Sequence, residues 1–242
     1  MDSRTALSST AFHVTVQPAP CGAAVRGIDL AQPISAEQAD ALRQLWLAHQ
    51  VLVFPDQALS IDDLERFAAT VGPFGPDPYF ESIAGHPHVA QVKREADETS
   101  SLFADNWHSD WSFLASPPAA TLLYGEVIPP LGGDTLFANQ QAAYDDLPEA
   151  TRRRIDGLMA IHHYGNRNDL NEASRTVASV LNDEQKARMP VITHRIARPH
   201  PVTGRKALYA VSGSSFGIVG MPDDEARALL DELATHATQA KY

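Results

Sequence analysis

The chain has 242 residues, of which 44% are hydrophobic and 20% are charged, a composition typical of a soluble globular protein. Its formal net charge is −11, so the sequence offers no basic surface for nucleic-acid phosphates. Cys21 is the one cysteine, which excludes an intramolecular disulfide and a cysteine-based zinc site.

The N-terminal segment lacks the apolar core of a secretory signal, and no stretch approaches the roughly 20 apolar residues of a membrane span. We therefore expect a cytoplasmic protein with neither membrane nor nucleic acid as a partner. Residues 12–19 alternate like a strand, and residues 35–50 predict a helix that begins with a capping box of Ser35 and Gln38. The short, β-branched apolar run at 51–56 is typical of a buried strand.

A second helix is predicted over residues 60–72, because Ser60 and Asp63 have the spacing of a capping box. Glycine and proline occur throughout residues 72–87 and indicate a loop. A strand is predicted behind that loop, at residues 88–95.

From residue 107 onward, short apolar runs alternate with proline and glycine turns, as in a β-sandwich or barrel. The strands are predicted at residues 107–115, 119–128 and 133–138, and again as a pair within 189–213 joined at 200–206. A helical insertion over 139–160 is divided by Pro148, and a final helix has an apolar face of Ala226, Leu229, Leu230 and Leu233. The pattern predicts one domain over residues 1–242, a mixed α/β, β-rich fold with helices packed outside a sandwich core.

The sequence FADNWHSDWSF contains the most distinctive pair of polar residues, His108 and Asp110. In a strand, side chains two residues apart lie on the same face, so an imidazole nitrogen and a carboxylate oxygen would converge. Mixed nitrogen and oxygen ligation with open positions suits non-haem Fe(II). The alternative is a polar strand face in which Trp107 and Trp111 are ordinary core residues.

A second motif, GGDT, follows about 22 residues after Asp110. Gly132 and Gly133 permit a tight turn with positive φ, and Thr135 presents a hydroxyl where the chain re-enters a predicted strand. That hydroxyl could donate a hydrogen bond to the carboxylate of an oxo-acid, or it could simply cap the turn.

Taken together, the runs NWHSDWSF, PPLGGDTLFAN, HQVLVFPDQ and HPVTGRKALYAV resemble the taurine dioxygenase family, TauD/TfdA-like, of Fe(II)- and 2-oxoglutarate-dependent dioxygenases. The resemblance covers most of the chain. It implies a double-stranded β-helix, the cupin-like jelly roll, with flanking helices and with its last strands missing from this chain. It also implies a homo-oligomer, a dimer or tetramer.

The resemblance assigns roles to individual residues. His108 and Asp110 fall on the first two iron ligands, Thr135 falls on the threonine that binds 2-oxoglutarate, and Tyr79 lies near a substrate-contacting tyrosine. At a position where taurine-specific members carry asparagine, this chain has Ala104. We therefore expect a substrate other than taurine.

The family takes its third iron ligand, a histidine, and a 2-oxoglutarate-binding arginine from a segment after the last helix. Neither is present in this chain, and the family spacing leads us to expect them roughly 20 to 35 positions beyond it. The internal histidines are not expected to substitute: these are His162, His163, His194, His200 and His236.

The resemblance thus implies a dioxygenase that uses Fe(2+), 2-oxoglutarate and O2, hydroxylates a small organic molecule and releases succinate and CO2. The substrate would be a sulfonate, a sulfate ester or an aryloxyalkanoate. The alternative is a catalytically inactive remnant or binding protein on the same scaffold. A cupin-like isomerase would share the sandwich, but it gives no reason for the spacing of the GGDT and HPVTGRK motifs.

Overall fold

The computed structural model describes residues 12–75, 82–95, 97–99, 106–163 and 190–242. These residues belong to two compact units. The first unit holds residues 12–75, 82–90 and 122–135, and the second holds 91–95, 97–99, 106–121, 136–163 and 190–242. The expectation of one domain over residues 1–242 stays a prediction.

The first unit is built from five short strands and two helices. Their order is β1 (His13–Val16), β2 (Ala23–Arg26), α1 (Ala36–His49), β3 (Leu52–Val53), α2 (Ile61–Val71), β4 (Ser82–Ile83) and β5 (His86–Ala90). β1 pairs with β2 antiparallel, and β2 pairs with β3 parallel, so that α1 connects two parallel neighbours. The buried core consists of Val25, Ile28, Leu30, Leu42, Leu45 and Phe67.

Both helices of the first unit begin where the sequence predicts. The Ser35 hydroxyl accepts the backbone N–H of Gln38, and the side-chain oxygen of Gln38 accepts the Ser35 N–H in turn. Ser60 and Asp63 form the same reciprocal pair at the start of α2. Each box satisfies two of the N–H groups that a helix start leaves without partners, so a four-residue signal suffices to fix the boundary. The strand predicted at residues 88–95 lies slightly earlier in the structure, since β5 begins at His86 and ends at Ala90.

The described residues of the second unit form three helices and five strands. Their order is α3 (Gln140–Asp145), α4 (Glu149–Ile155), β6 (Met159–His162), β7 (Ile192–Arg195), β8 (Ala197–Pro199), β9 (Lys206–Leu208), β10 (Ser215–Ile218) and α5 (Asp223–Ala237). One antiparallel sheet has the order β10-β6-β7, and β8 and β9 form a hairpin, as predicted at 200–206. The predicted apolar face of α5 is buried, with Ala226, Leu229, Leu230 and Leu233 at most 2% exposed.

Two predictions about the second half of the chain were wrong. The helical insertion ends at Ile155, and residues 159–162 form β6, because they pair with β7 and β10 on either side. No described residue of 107–115, 119–128 or 133–138 takes part in a β ladder. A run of alternating apolar residues forms a strand only when a neighbouring strand pairs with it. No described segment pairs with these three runs.

Large apolar side chains are exposed in the second of these stretches and beyond it: Leu123, Val127, Ile128, Leu131, Leu136 and Phe137. The described fold is therefore mixed α/β with several small sheets. Within the described residues, no helix is both long enough and apolar enough to cross a bilayer.

Candidate metal and cosubstrate site

His108 and Asp110 converge, as the sequence predicts, although they do not lie on a strand. Nε2 of His108 is 3.0 Å from Oδ1 of Asp110. Both side chains are partly open to solvent, with 41% and 45% of their surfaces exposed. A ligand could therefore reach the space in front of the two atoms without any rearrangement of the pair.

The convergence arises from a turn. Residues 110–113 form a turn that the Leu114 N–H closes by donating to the carbonyl of Trp111, at 2.8 Å. Trp111 has φ +57°, a left-handed conformation that is uncommon outside glycine and costs free energy. This strained turn directs the Asp110 side chain back towards His108. A regular strand would not turn the chain in this way.

The other ring nitrogen of His108, Nδ1, is held by the backbone two residues earlier in the chain. Nδ1 lies 2.8 Å from the carbonyl oxygen of Asn106, and a carbonyl can only accept, so Nδ1 carries the proton of that hydrogen bond. A carboxylate oxygen also only accepts, so a protonated Nε2 donates to Oδ1 of Asp110, and loss of that proton would leave the Nε2 lone pair directed at the same point. Histidines that bind metals are characteristically oriented by such a hydrogen bond from the other ring nitrogen.

Thr121 holds the second oxygen of Asp110. Its hydroxyl donates to Oδ2 at 2.7 Å, which leaves Oδ1 directed at His108. Both candidate ligands thus have one atom tied to the protein and one atom directed at a shared point. The sequence did not single out Thr121 as the residue that holds Asp110. A lone threonine 11 residues downstream gives no local signal of such a role.

The electrostatics of the pair follow from this contact. The hydrogen bond with Asp110 raises the pKa of His108, and the Asn106 carbonyl acts in the same direction against the opposing effect of burial. The same contact with His108 lowers the pKa of Asp110, assisted by the Thr121 hydroxyl. A proton on Nε2 and a divalent cation would therefore compete for one position.

A cavity of about 170 Å³ adjoins the pair within the second unit. Trp107 and His108 line one part of it, and Phe137, Gln140, Ala210 and Ser212 contribute to the rest. The lining combines apolar side chains with a few polar groups.

The other predicted site residues are not joined to the pair by any described contact. Thr135 is exposed and belongs to the first unit. Tyr79 and Ala104 lie outside the described residues. Their predicted roles therefore stay predictions.

Internal histidines have other partners or surroundings. Nδ1 of His200 accepts the N–H groups of Val202 and Thr203, each at 3.2 Å, and so closes the β8–β9 turn. His236 is half-buried and donates from Nε2 to the Ala143 carbonyl at 2.8 Å. Helical periodicity places His236 beside the buried stripe of α5, and the contact with α3 covers it.

Sequence reasoning missed a group of contacting side chains in which His162 and His194 are buried and Tyr209 and Arg198 are partly buried. The rings of His162 and His194 have centroids 5.2 Å apart, and His194 contacts Tyr209 at the same distance. The guanidinium of Arg198 lies 4.3 Å from the centroid of the Tyr209 ring. The signal that could have found this group is the alternation of β6, which buries Ala160 and His162 on one face.

A separate group of possible metal-binding side chains lies in the first unit. Asp62 and Glu65 on α2 and His86 on β5 place three ligand atoms within 4.8 Å of one another. The closest pair, Nδ1 of His86 and Oε2 of Glu65, is 2.9 Å apart, and Asp62 is 84% exposed. A histidine–carboxylate hydrogen bond between the strand and the helix accounts for this arrangement, and none of the three is a predicted iron ligand.

Comparison with known proteins adds independent information. The family described as taurine catabolism dioxygenase TauD, TfdA family, matches residues 14–242. The chain is 32% identical over 235 residues to the alpha-ketoglutarate-dependent 2,4-dichlorophenoxyacetate dioxygenase of Cupriavidus pinatubonensis, covering 91% of this chain and 80% of the relative. It is 30% identical over 192 residues to an alpha-ketoglutarate-dependent sulfate ester dioxygenase of Pseudomonas putida, covering 77% and 62%.

A solved structure shows the same likeness in three dimensions. The structure of a taurine dioxygenase from Burkholderia xenovorans superposes with a TM-score of 0.78 at 30% sequence identity. The match covers 96% of this chain and 75% of the other.

Proposed function

The chain belongs to the TauD, TfdA family of dioxygenases, and on that premise we propose that His108 and Asp110 are two of its iron ligands. It is a 2-oxoglutarate-dependent non-haem iron dioxygenase that uses Fe(II), 2-oxoglutarate and O2. The predictions of the family, the enzyme class and the cofactors are thereby confirmed. The observation that carries the assignment of the two ligands is the 3.0 Å approach of Nε2 to Oδ1.

The residues present fit such an ion. A neutral imidazole nitrogen and a carboxylate oxygen are two of the three donors of the 2-His-1-carboxylate set that non-haem Fe(II) prefers. The atoms that would not bind the ion, Nδ1 of His108 and Oδ2 of Asp110, are each held by a protein group. This outer hydrogen bonding is what orients ligands in known metal sites.

When bound, Fe(II) supplies the redox chemistry that couples decarboxylation of 2-oxoglutarate to oxidation of the substrate by O2. One oxygen atom enters the substrate, the other enters succinate, and CO2 is released. The task of the chain is to hold the ligands and position the substrate. The Asn106 carbonyl keeps the proton of His108 on Nδ1, and the Thr121 hydroxyl fixes the rotation of the Asp110 carboxylate.

Three finer features belong to the same proposal. Thr135 donates its hydroxyl to the distal carboxylate of 2-oxoglutarate, a role that its exposure and its place in the GGDT turn support. Tyr79 contacts the substrate. The core is a jelly roll, which the likeness to a solved taurine dioxygenase supports.

The substrate that we propose carries a heteroatom beside the carbon that is hydroxylated. One relative is named for an aryloxyalkanoate, 2,4-dichlorophenoxyacetate, and another for sulfate esters. Hydroxylation of such a carbon places two electronegative atoms on it, and the bond to the ether or sulfate oxygen, or to sulfonate sulfur, then breaks. The relatives compared above are all named as enzymes, so they give no support to an inactive remnant.

Succinate formation tests the reaction. The protein is incubated with Fe(II), 2-oxoglutarate and O2, with phenoxyacetate, an alkyl sulfate or an alkanesulfonate in separate samples. We expect succinate to form in proportion to product for at least one class. If no class raises succinate above the sample without protein, the proposed substrate range is wrong.

Metal binding tests the ligands separately. Mn(II) is titrated into the metal-free protein, and free Mn(II) is followed by electron paramagnetic resonance. His108→Ala and Asp110→Ala should each weaken binding strongly, whereas His13→Ala, a change at an exposed histidine of β1, should not. Equal binding by His108→Ala and His13→Ala would rule out His108 as a ligand.

A further inference from the structure

Gly213 brings the segment before β10 into close contact with the backbone of His108. A Cβ atom built on Gly213 would lie 2.9 Å from Cβ of His108 and 3.4 Å from its Cα. Cβ atoms in proteins essentially never approach a heavy atom more closely than 3.0 Å. The colliding atoms belong to the base of the His108 side chain, so no rotation of the imidazole would relieve the contact.

We propose that Gly213 is a positioning residue for the metal site. Because it has no side chain, the segment before β10 can pack directly on His108 and hold Nε2 opposite Asp110. The inference rests on the proposed function, in that it takes His108 to be an iron ligand. It adds a residue that neither touches the metal nor belongs to the motifs that the sequence singles out.

Both sides of this contact are fixed by other bonds. His108 is held through Nδ1 by Asn106 and faces Asp110 through Nε2. The segment of Gly213 is held by the neighbouring strand, since the His163 N–H donates to the carbonyl of Ser214 at 3.2 Å. Neither side can therefore retreat without loss of a hydrogen bond.

The displacement that a side chain would force is large for a metal site. An ordinary van der Waals contact begins near 3.4 Å, so the two Cβ atoms would have to separate by about half an ångström. Metal–ligand distances are maintained to within about 0.2 Å. A shift of this size at the base of His108 is enough to change the position of Nε2 relative to Oδ1 of Asp110, so that the two atoms no longer face one ion.

The backbone around the contact has left-handed conformations on both sides. Gly213 has φ +73°, Ala210 has φ +47°, and Trp111, which follows His108 closely, has φ +57°. Ala210 also lines the cavity beside His108. Residues in such conformations persist where the surrounding structure enforces them, and they cluster at functional sites.

The chain contains a matched control, Gly220. It lies just after β10 in the same unit and has φ +75°, nearly the angle of Gly213, yet a Cβ there would meet nothing within 4 Å. Gly220→Ala therefore introduces the left-handed strain of an alanine without a collision. Gly213→Ala introduces the same strain together with the collision.

The first experiment measures Mn(II) affinity by electron paramagnetic resonance and unfolding by urea for both variants. We expect Gly213→Ala to weaken Mn(II) binding about tenfold or more, as changes that disturb ligand orientation do. Gly220→Ala should bind as the wild type does. Unchanged affinity in Gly213→Ala, or an equal loss in both variants, would overturn the inference.

A second variant tests the collision through stability, independently of metal binding. His108→Gly removes the Cβ with which the new methyl group collides. Gly213→Ala should then lower the urea midpoint less in the His108→Gly background than in the wild-type background. Gly220→Ala should lower the midpoint equally in both backgrounds. The same loss from Gly213→Ala in both backgrounds would contradict the inference.

The two proposals fail in different ways. If His108→Ala binds Mn(II) as well as the wild type, His108 is not a ligand and the proposed site is wrong. If His108→Ala loses binding and Gly213→Ala retains it, His108 stays a ligand and the role of Gly213 alone is wrong.

Discussion

His162 and His194 face each other inside the second unit, with ring centroids 5.2 Å apart and planes inclined at 70°. His162 is fully buried, and within the described part of the chain neither of its ring nitrogens has a hydrogen-bond partner. None of the described residues offers an acceptor to an imidazolium in this position, so burial disfavours the charged form of His162.

The first prediction concerns the dependence of stability on pH. Burial lowers the pKa of His162 to about 4, and the charges of His194 and Arg198 act in the same direction. The unfolded chain, with a histidine pKa near 6.5, binds more protons between these two values. The stability that His162 contributes is thus complete above pH 6.5 and is lost as the pH falls towards 4.

The loss should be on the order of 3 kcal/mol over that range. It is measured by urea unfolding at pH 7, 6, 5 and 4. The variant His162→Phe should show a weaker pH dependence, and His194, whose pKa is also lowered by burial, should contribute to the part that remains. An undiminished slope in His162→Phe would assign the pH dependence to other groups.

The second prediction concerns the link between β7 and the turn that follows Asp110. Nε2 of His194 donates to the carbonyl of Leu114 at 3.0 Å. His194→Phe keeps a ring but removes the donor, so it should lower the free energy of unfolding by about 1–3 kcal/mol. His88→Phe, at an exposed histidine, should change it by less than about 0.5 kcal/mol. Equal values for the two variants in urea unfolding would show that the Leu114 contact contributes nothing.

The third prediction concerns Thr121. Thr121→Val keeps the shape of the side chain and removes the hydroxyl that holds Oδ2 of Asp110. Mn(II) affinity should fall about 10- to 100-fold, the usual range for a group that orients a metal ligand. Thr121→Ser retains the hydroxyl and should restore most of the binding. A serine variant as weak as the valine variant would attribute the loss to packing instead.

The fourth prediction tests the start of α1. The Ser35 hydroxyl accepts the Gln38 N–H at 3.2 Å, so Ser35→Ala leaves that N–H without its partner. In Ser35→Ala the free energy of unfolding should fall by about 1 kcal/mol. In Ser35→Gly it should fall by only about a few tenths of a kcal/mol. Urea unfolding separates the two, and a larger loss with glycine than with alanine would contradict the capping role.

The helices could be predicted because their signals are local. Ser35 and Gln38, or Ser60 and Asp63, lie within one helical turn, and the capping box needs no other part of the fold. The strands could not be predicted in the same way. Residues 159–162 become β6 only because β7 and β10 pair with them from distant positions in the chain.

The proposed metal site shows the same division. The sequence singles out His108 and Asp110 as candidate ligands, but the expected geometry, two side chains on one strand face, was wrong. In the structure a left-handed Trp111 and the Thr121 hydroxyl accompany their convergence, and we propose that Gly213 supports it. Trp111 lies within the motif, but its residue type does not reveal its positive φ, and Thr121 and Gly213 lie outside the motif.

The segment around His108 is held by hydrogen bonds from a few side chains and a turn, with no ladder bond to a neighbouring strand. Segments of this kind open at a lower free energy than the sheets and helices that surround them. On heating, the protein should therefore release its metal while β6, β7 and α5 are still intact. Loss of activity would then precede loss of secondary structure, and cooling in the presence of Fe(II) should restore activity without a refolding step.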